Sequence, residues 1–274
     1  MSYQHPPIPL MRVSICEPVI LAARSIGTPV DKLLRRYRLP TMMLEDPGML
    51  IPEIPCWHFI EAIGELEGEP LFGLKAATEI ALADTLSLNP LLQGCASLKL
   101  LLERMCTVAY TQSNVSHMSL KEDGDIVWFR ESAIHSSMAR PQAEQYTLAG
   151  MIQLVQLAAG ADWYPEETHF SVDFDRHIIN TEFFGTGKVL FSQPYIAIAI
   201  PKRLLPLPVN LIGSGSDNVI LSSSGNSLSE DLKHSLNPYL GNRKLTQNFI
   251  CVTLSAMSSP VASKQATHTP LMQH

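Results

Sequence analysis

Gly185-Thr186-Gly187-Lys188 is the stretch that most invites a chemical reading, because glycines before a lysine can cradle a phosphate. The full pattern needs a further glycine where Glu182 stands and a Ser or Thr where Val189 stands, so a turn between strands is the better reading. Cys56-Trp57-His58 puts a thiol near an imidazole, yet no Cys-x-x-Cys or His-x-x-x-His pair completes a zinc set. A buried cysteine beside a surface histidine accounts for it. The serines around Ser214 and Ser222 lack a Gly-x-Ser-x-Gly elbow, and the adjacent Glu166 and Glu167 would diverge on any regular element. Asn114-Val115-Ser116 fits a glycosylation pattern that means nothing in a cytoplasmic chain. No catalytic, metal or cofactor constellation is complete, so the sequence does not read as an enzyme.

Ligand binding is the softer signal. Trp128, Arg130, Tyr146, His169 and Asp173 fall on or beside a helix–sheet layer, where an apolar cavity with a few convergent polar groups binds small molecules. Each also has a plain structural role: Trp128 as core, Arg130 and Asp173 as solvent-facing strand residues, Tyr146 as helix surface.

The elements that would position these residues are legible from periodicity. Glu144 to Ala161 repeats Leu148, Met151, Ile152, Val155 and Ala159 at helical spacing. His169 to Phe174 alternates apolar and polar residues as a strand with one buried face does. Phe183-Phe184-Gly185, Lys188 to Phe191 and the alternating Ile196 to Ile200 follow, the last ending at Pro201. Upstream, Pro18 to Ser25 reads as a short helix. Thr28, Pro29 and Asp31 read as the cap and first turn of the next. Its end carries Arg35, Arg36 and Arg38, which favour the helix dipole. Ile51 to Pro55 opens a helix ended by Gly64 or Gly68, and Pro70 to Ala77 opens another. Leu98 to Tyr110 is a helix. Val115 to Leu120 and Ile126 to Arg130, around Glu122-Asp123-Gly124-Asp125, read as a hairpin that joins the later strands. The expected class is α+β, a helical N-terminal half packed on a small, mainly antiparallel sheet.

The 274 residues suffice for one large domain or two ordinary ones. Charged residues make up 17%, below the ~25% usual in soluble proteins, which implies apolar surface committed to a pocket or partner. A net charge of −6 gives no whole-chain basic signature for nucleic acid. No secretory leader or membrane-length apolar run is evident, and five scattered cysteines suit reduced thiols, so a cytoplasmic location without a membrane partner is expected.

The order of Phe170, Phe174, Phe183-Phe184-Gly185, Val189, Phe191, Pro201, Leu204-Leu205 and Pro208 resembles the N-terminal effector, or arabinose-binding-like, domain of AraC/XylS-type transcription regulators. Gly27 to Leu34, Leu44 to Pro47, Ile51-Pro52 and Pro70 to Ala77 extend the resemblance from about Gly27 to Pro208. It implies a small-molecule effector, self-association as a homo- or hetero-dimer, and a C-terminal DNA-binding domain. On that reading residues 1–208 are the sensing and dimerisation domain, 209–227 the Gly/Ser-rich linker, and 228–274 an incomplete all-α helix-turn-helix remnant. Leu228 to Leu240 matches the opening helix, and Leu245 to Ser259 a scaffold helix and turn. The recognition helix would then fall on Pro260 to Pro270, which offers Lys264 and two prolines where several basic residues are expected. Ser258, Ser259 and Lys264 are the candidate remnants of DNA contact, and the end reads as truncated or frame-shifted, without a second helix-turn-helix. DNA is thus a partner of intact relatives and a doubtful one here. The alternative reading is a stand-alone ligand-binding or hetero-dimerising module.

Overall fold

Two apolar clusters dictate the layout, and one helix contributes to both. The computed structural model describes residues 9–79, 94–133 and 140–209. The expected linker beyond Val209 and the helix-turn-helix remnant, with Ser258, Ser259 and Lys264, lie outside the described residues.

The N-terminal half comprises strand β1 (Leu10–Arg12), helices α1 (Val13–Ser25) and α2 (Val30–Arg36), strand β2 (Leu50–Pro52), and helices α3 (Glu53–Glu67) and α4 (Phe72–Thr78). Helix α1 starts five residues before Pro18, which falls inside it. Tertiary bonds start it: Val13 N and Ser14 N donate to Met49 O and Pro47 O at 3.0 and 2.9 Å, satisfying amides that a helix start leaves open. Thr28 does not cap α2; its hydroxyl donates to Glu67 Oε1 at 2.8 Å, and Asp31 pairs instead with Arg24 at 2.9 Å. Gly68, in the left-handed region at φ 62°, ends α3. These elements surround one apolar cluster that includes Met11, Ile20, Leu34, Phe59, Ile60 and Phe72.

The second half runs α5 (Leu98–Gln112), β3 (Ser116–Asp123), β4 (Ile126–Ala133), α6 (Pro141–Ala159), β5 (Glu167–His169), α7 (Arg176–Ile179), β6 (Lys188–Leu190) and β7 (Ile196–Pro201). Five strands form a sheet in the order β3-β4-β7-β5-β6, antiparallel except between β5 and β6. The expected hairpin is present, turning at Gly124, and it joins the later strands through β4 and β7. The expected strand from His169 to Phe174 is shorter: β5 ends at His169, Phe170 and Val172 are buried, and Phe174 is 70% exposed. Phe183-Phe184 forms a 3-10 turn. A second apolar cluster between sheet and helices contains Leu101, Phe129, Leu148, Ile152, Phe170, Ile198 and Ile200. The described residues thus form an α+β fold with a helical N-terminal half and a small, mainly antiparallel sheet.

Helix α6 is the member shared by both halves. Its Ala143 belongs to the first cluster, its Leu148 to Val155 stripe to the second, and Tyr146 packs against both. The helix sits close to α4 because Gly73 has no side chain: a Cβ there would stand 2.0 Å from Gln142 O. Gln142 exploits the gap, its Oε1 accepting from Gly73 N at 2.8 Å and its Nε2 donating to Pro70 O at 3.2 Å.

Candidate functional site

Helical and strand periodicity turn three carboxylates inward, two of them buried. Glu144 lies one turn before Leu148 on the apolar face of α6 and is only 4% exposed. Its Oε2 accepts from Ser171 N at 2.9 Å and Val172 N at 3.3 Å, while Ser171 Oγ donates to Oε1. Burial pushes its pKa above the ordinary carboxylate range, and the bonds from Ser171 and Val172 offset part of that rise. Glu131 continues the inward parity of Val127 and Phe129 on β4 and accepts from Ser116 Oγ; burial raises its pKa also. Glu53, at the start of α3, is 3% exposed; its two oxygens accept from Trp57 Nε1 at 3.0 Å and Ser113 Oγ at 2.7 Å.

Arg140, just before α6, stands among these acids. Its Nη1 is 3.9 Å from Glu53 Oε1, its Cζ lies 5.7 Å from the centre of the Trp57 ring, and its buried Nε has no hydrogen-bond partner among the described residues. Behind it, Glu61 of α3 accepts from the first amides of α6, Gln142 N and Ala143 N, at 3.1 and 3.2 Å. Burial raises the Glu61 pKa to about 7, against the lowering effect of those amides and Arg140; Glu144 adds to the rise.

Arg140, Glu131 and Glu144 converge on a small, open cleft. Trp57 and Ala143 bring the first apolar cluster to its wall, and Ile196 brings the second. Glu131, Arg140, Glu144 and Ser171 supply polar groups, and Tyr195 closes one side. The signal for Glu144 and Glu131 was present in the sequence: each is an ionisable residue in register with an apolar stripe.

The residues singled out from sequence lie elsewhere. Trp128, Arg130 and His169 come together on the opposite face of the sheet, over Ala197 and Ala199. His169 lies against Trp128 with ring centroids 4.6 Å apart, its Nε2 is 2.6 Å from Glu167 Oε1, and Arg130 Cζ lies 5.2 Å from the Tyr195 ring centre. Tyr195 therefore touches both this ladder and the cleft. Tyr146 is held between the two apolar clusters, where burial raises its hydroxyl pKa. Asp173 accepts from Ser192 Oγ at 3.1 Å on the surface. None of these five lines the cleft.

Gly185 and Gly187 serve close packing. Added Cβ atoms would stand 2.8 Å from Tyr164 Cβ and 2.1 Å from Pro165 O. Among the described residues no group of His, Cys, Asp and Glu is arranged to hold a metal, and no helix is long and apolar enough to cross a membrane.

The family model described as the arabinose-binding domain of AraC transcription regulators, N-terminal, matches residues 27–209. Among solved structures, the crystal structure of transcriptional regulator CdpR from Pseudomonas aeruginosa is similar at 14% identity, with 83% of this chain and 69% of that chain covered and a TM-score of 0.45. No curated protein matches. The matched span takes in α2 to β7 and every residue that lines the cleft, so the chain belongs to the family of AraC-type regulators that carry this N-terminal arabinose-binding domain.

Proposed function

We propose that residues 1–208 are the effector-sensing and self-associating domain of a cytoplasmic AraC-type regulator, followed by a linker over 209–227 and a DNA-binding segment over 228–274. The cleft carries this reading. Its walls come from both apolar clusters and from the helix they share, so a small molecule held there couples to the arrangement of the two halves. Such coupling requires only that the ligand bind one arrangement better than another.

The DNA output of this chain is weak on the same reading. Ser258 and Ser259 fall where the helix-turn-helix would turn, and Lys264 is the one Lys or Arg of Pro260 to Pro270. Phosphate contacts from Lys and Arg supply most DNA affinity, so a segment this poor in them holds duplex poorly. The low charged fraction of the chain, 17%, favours a second reading in which the domain acts as a ligand-binding or hetero-dimerising module with a DNA-competent relative.

Thermal-shift screening of the full chain against sugars, amino acids and organic acids tests sensing; a chain that no class stabilises is not a sensor. Fluorescence anisotropy with promoter duplex at physiological salt tests the output. Sequence-preferring binding there would overturn the reading of Pro260 to Pro270.

A further inference from the structure

We infer that the cleft takes a small zwitterion, a molecule with a carboxylate that docks on Arg140 and a protonated amine that faces Glu131. This rests on the sensing reading above and specifies its ligand class.

The argument begins with unfilled valences. A guanidinium has five donors in a planar fork. Among the described residues the buried Nε of Arg140 is unpartnered, and the nearest carboxylate oxygen, on Glu53, stands at 3.9 Å, beyond hydrogen-bond distance. Both Glu53 oxygens are already engaged, by Trp57 and Ser113. A ligand carboxylate would satisfy two donors at once, the geometry for which a guanidinium is best suited.

Glu131 is uncommitted in the complementary sense. It accepts one bond, from Ser116 Oγ, and among the described residues no ion pair within 4 Å joins it to Arg140, although both line the cleft. Glu144 already accepts three bonds, from Ser171 N, Ser171 Oγ and Val172 N, and is more committed than Glu131. An anion alone would meet Glu131 and Glu144. A cation alone would meet Arg140. A neutral polyol would leave the two half-buried charges unpaired with each other or with ligand. A molecule with both charges satisfies both ends, and the rings of Trp57 and Tyr195 supply walls for the carbon chain and the ammonium between them.

The test is calorimetry on the full chain with zwitterions and their halves: 4-aminobutyrate against butyrate and n-propylamine, L-alanine against propionate and ethylamine, and L-arabinose as the polyol. At least one zwitterion is expected to bind about tenfold or more tighter than either half. Arg140→Met is expected to reduce that zwitterion to the level of its amine half, and Glu131→Gln to the level of its carboxylate half. Should Arg140→Met fail to give the native circular dichroism spectrum, Glu131→Gln and the half-ligand series still decide the question. Halves that bind as well as the zwitterions, or variants that change nothing, overturn the proposal. Binding of L-arabinose without any amino-carboxylate overturns it and leaves sensing intact; absence of binding by every class in the wider screen overturns both.

Discussion

The two faces of the central sheet carry similar side chains in opposite conditions. On the outer face Arg130, Trp128, His169 and Tyr195 form a ladder in which the guanidinium is hydrogen-bonded, although the buried His169 Nδ1 has no partner among the described residues. Arg130 Nε donates to Ser119 Oγ at 3.0 Å, and His169 Nε2 meets Glu167. On the inner face Arg140, Trp57, Glu131 and Tyr195 border a cleft, and there the guanidinium has no hydrogen bond to Glu53 or Glu131. Strand alternation separates the two sets: Arg130 and Glu131 are neighbours in sequence and point to opposite faces. On the sensing proposal, composition alone does not mark the recognition site. The informative feature is a buried charge whose bonding capacity remains open.

This contrast can be broken most severely at Gly73. Gly73→Ala would drive a Cβ against Gln142 O and force α6 away from α4, displacing Arg140 and Glu144 together. Urea unfolding is expected to show a loss of about 3 kcal/mol, with ligand binding lost at the same time.

The next largest effect is that of pH. Glu61 holds its proton more tightly folded, at about 7, than unfolded, at 4.5, so its contribution to stability is full below pH 4.5 and is lost as pH rises through 7. That loss amounts to about 3 kcal/mol. Glu131 and Glu144, also raised by burial, act with the same sign, while Arg140 opposes the rise in all three. Melting temperature should fall between pH 5 and 8, and Glu61→Gln should flatten part of that slope; an unchanged slope would remove Glu61 as its source.

Ser171→Ala removes one of the three bonds that hold Glu144 and is expected to cost about 1.5 kcal/mol in denaturant titration. Arg130→Met should be the mildest, about 0.5–1 kcal/mol for a partly exposed ring contact, with calorimetric affinity for the cleft ligand unchanged. Loss of ligand affinity in Arg130→Met would invert the comparison and make the outer ladder the recognition surface.

How far these elements can be read from sequence depends on whether their partners are local. The β3–β4 hairpin was legible because Glu122 to Asp125 supplies its own turn, and α6 because its stripe from Leu148 to Ala159 repeats over about three turns. The strand expected from His169 to Phe174 had the right alternation but not the right partners. Phe170 N reaches Leu190 O, whereas the amides of Ser171 and Val172 are taken by the Glu144 carboxylate, which ends the ladder. Strand β1 left no signal, since three residues that pair with β2 have no period of their own. The cleft was hidden for a related reason. Arg140 belongs to no apolar pattern, and Glu144 becomes conspicuous only when its register with Leu148 is given more weight than its charge.

The longest-range bonds carry a kinetic consequence. Leu10 N donates to Asn114 Oδ1, and the first amides of α5, on Leu98 and Lys99, are satisfied by Leu207 O and Leu205 O. Each closure spans more than about a hundred residues, the kind of contact that slows folding because a large loop is ordered before the contact rewards it. The first strand waits for the end of α5, and α5 waits for the segment after β7. The two apolar clusters are thus expected to rise in a single late step, and stopped-flow refolding should report one slow phase common to both halves.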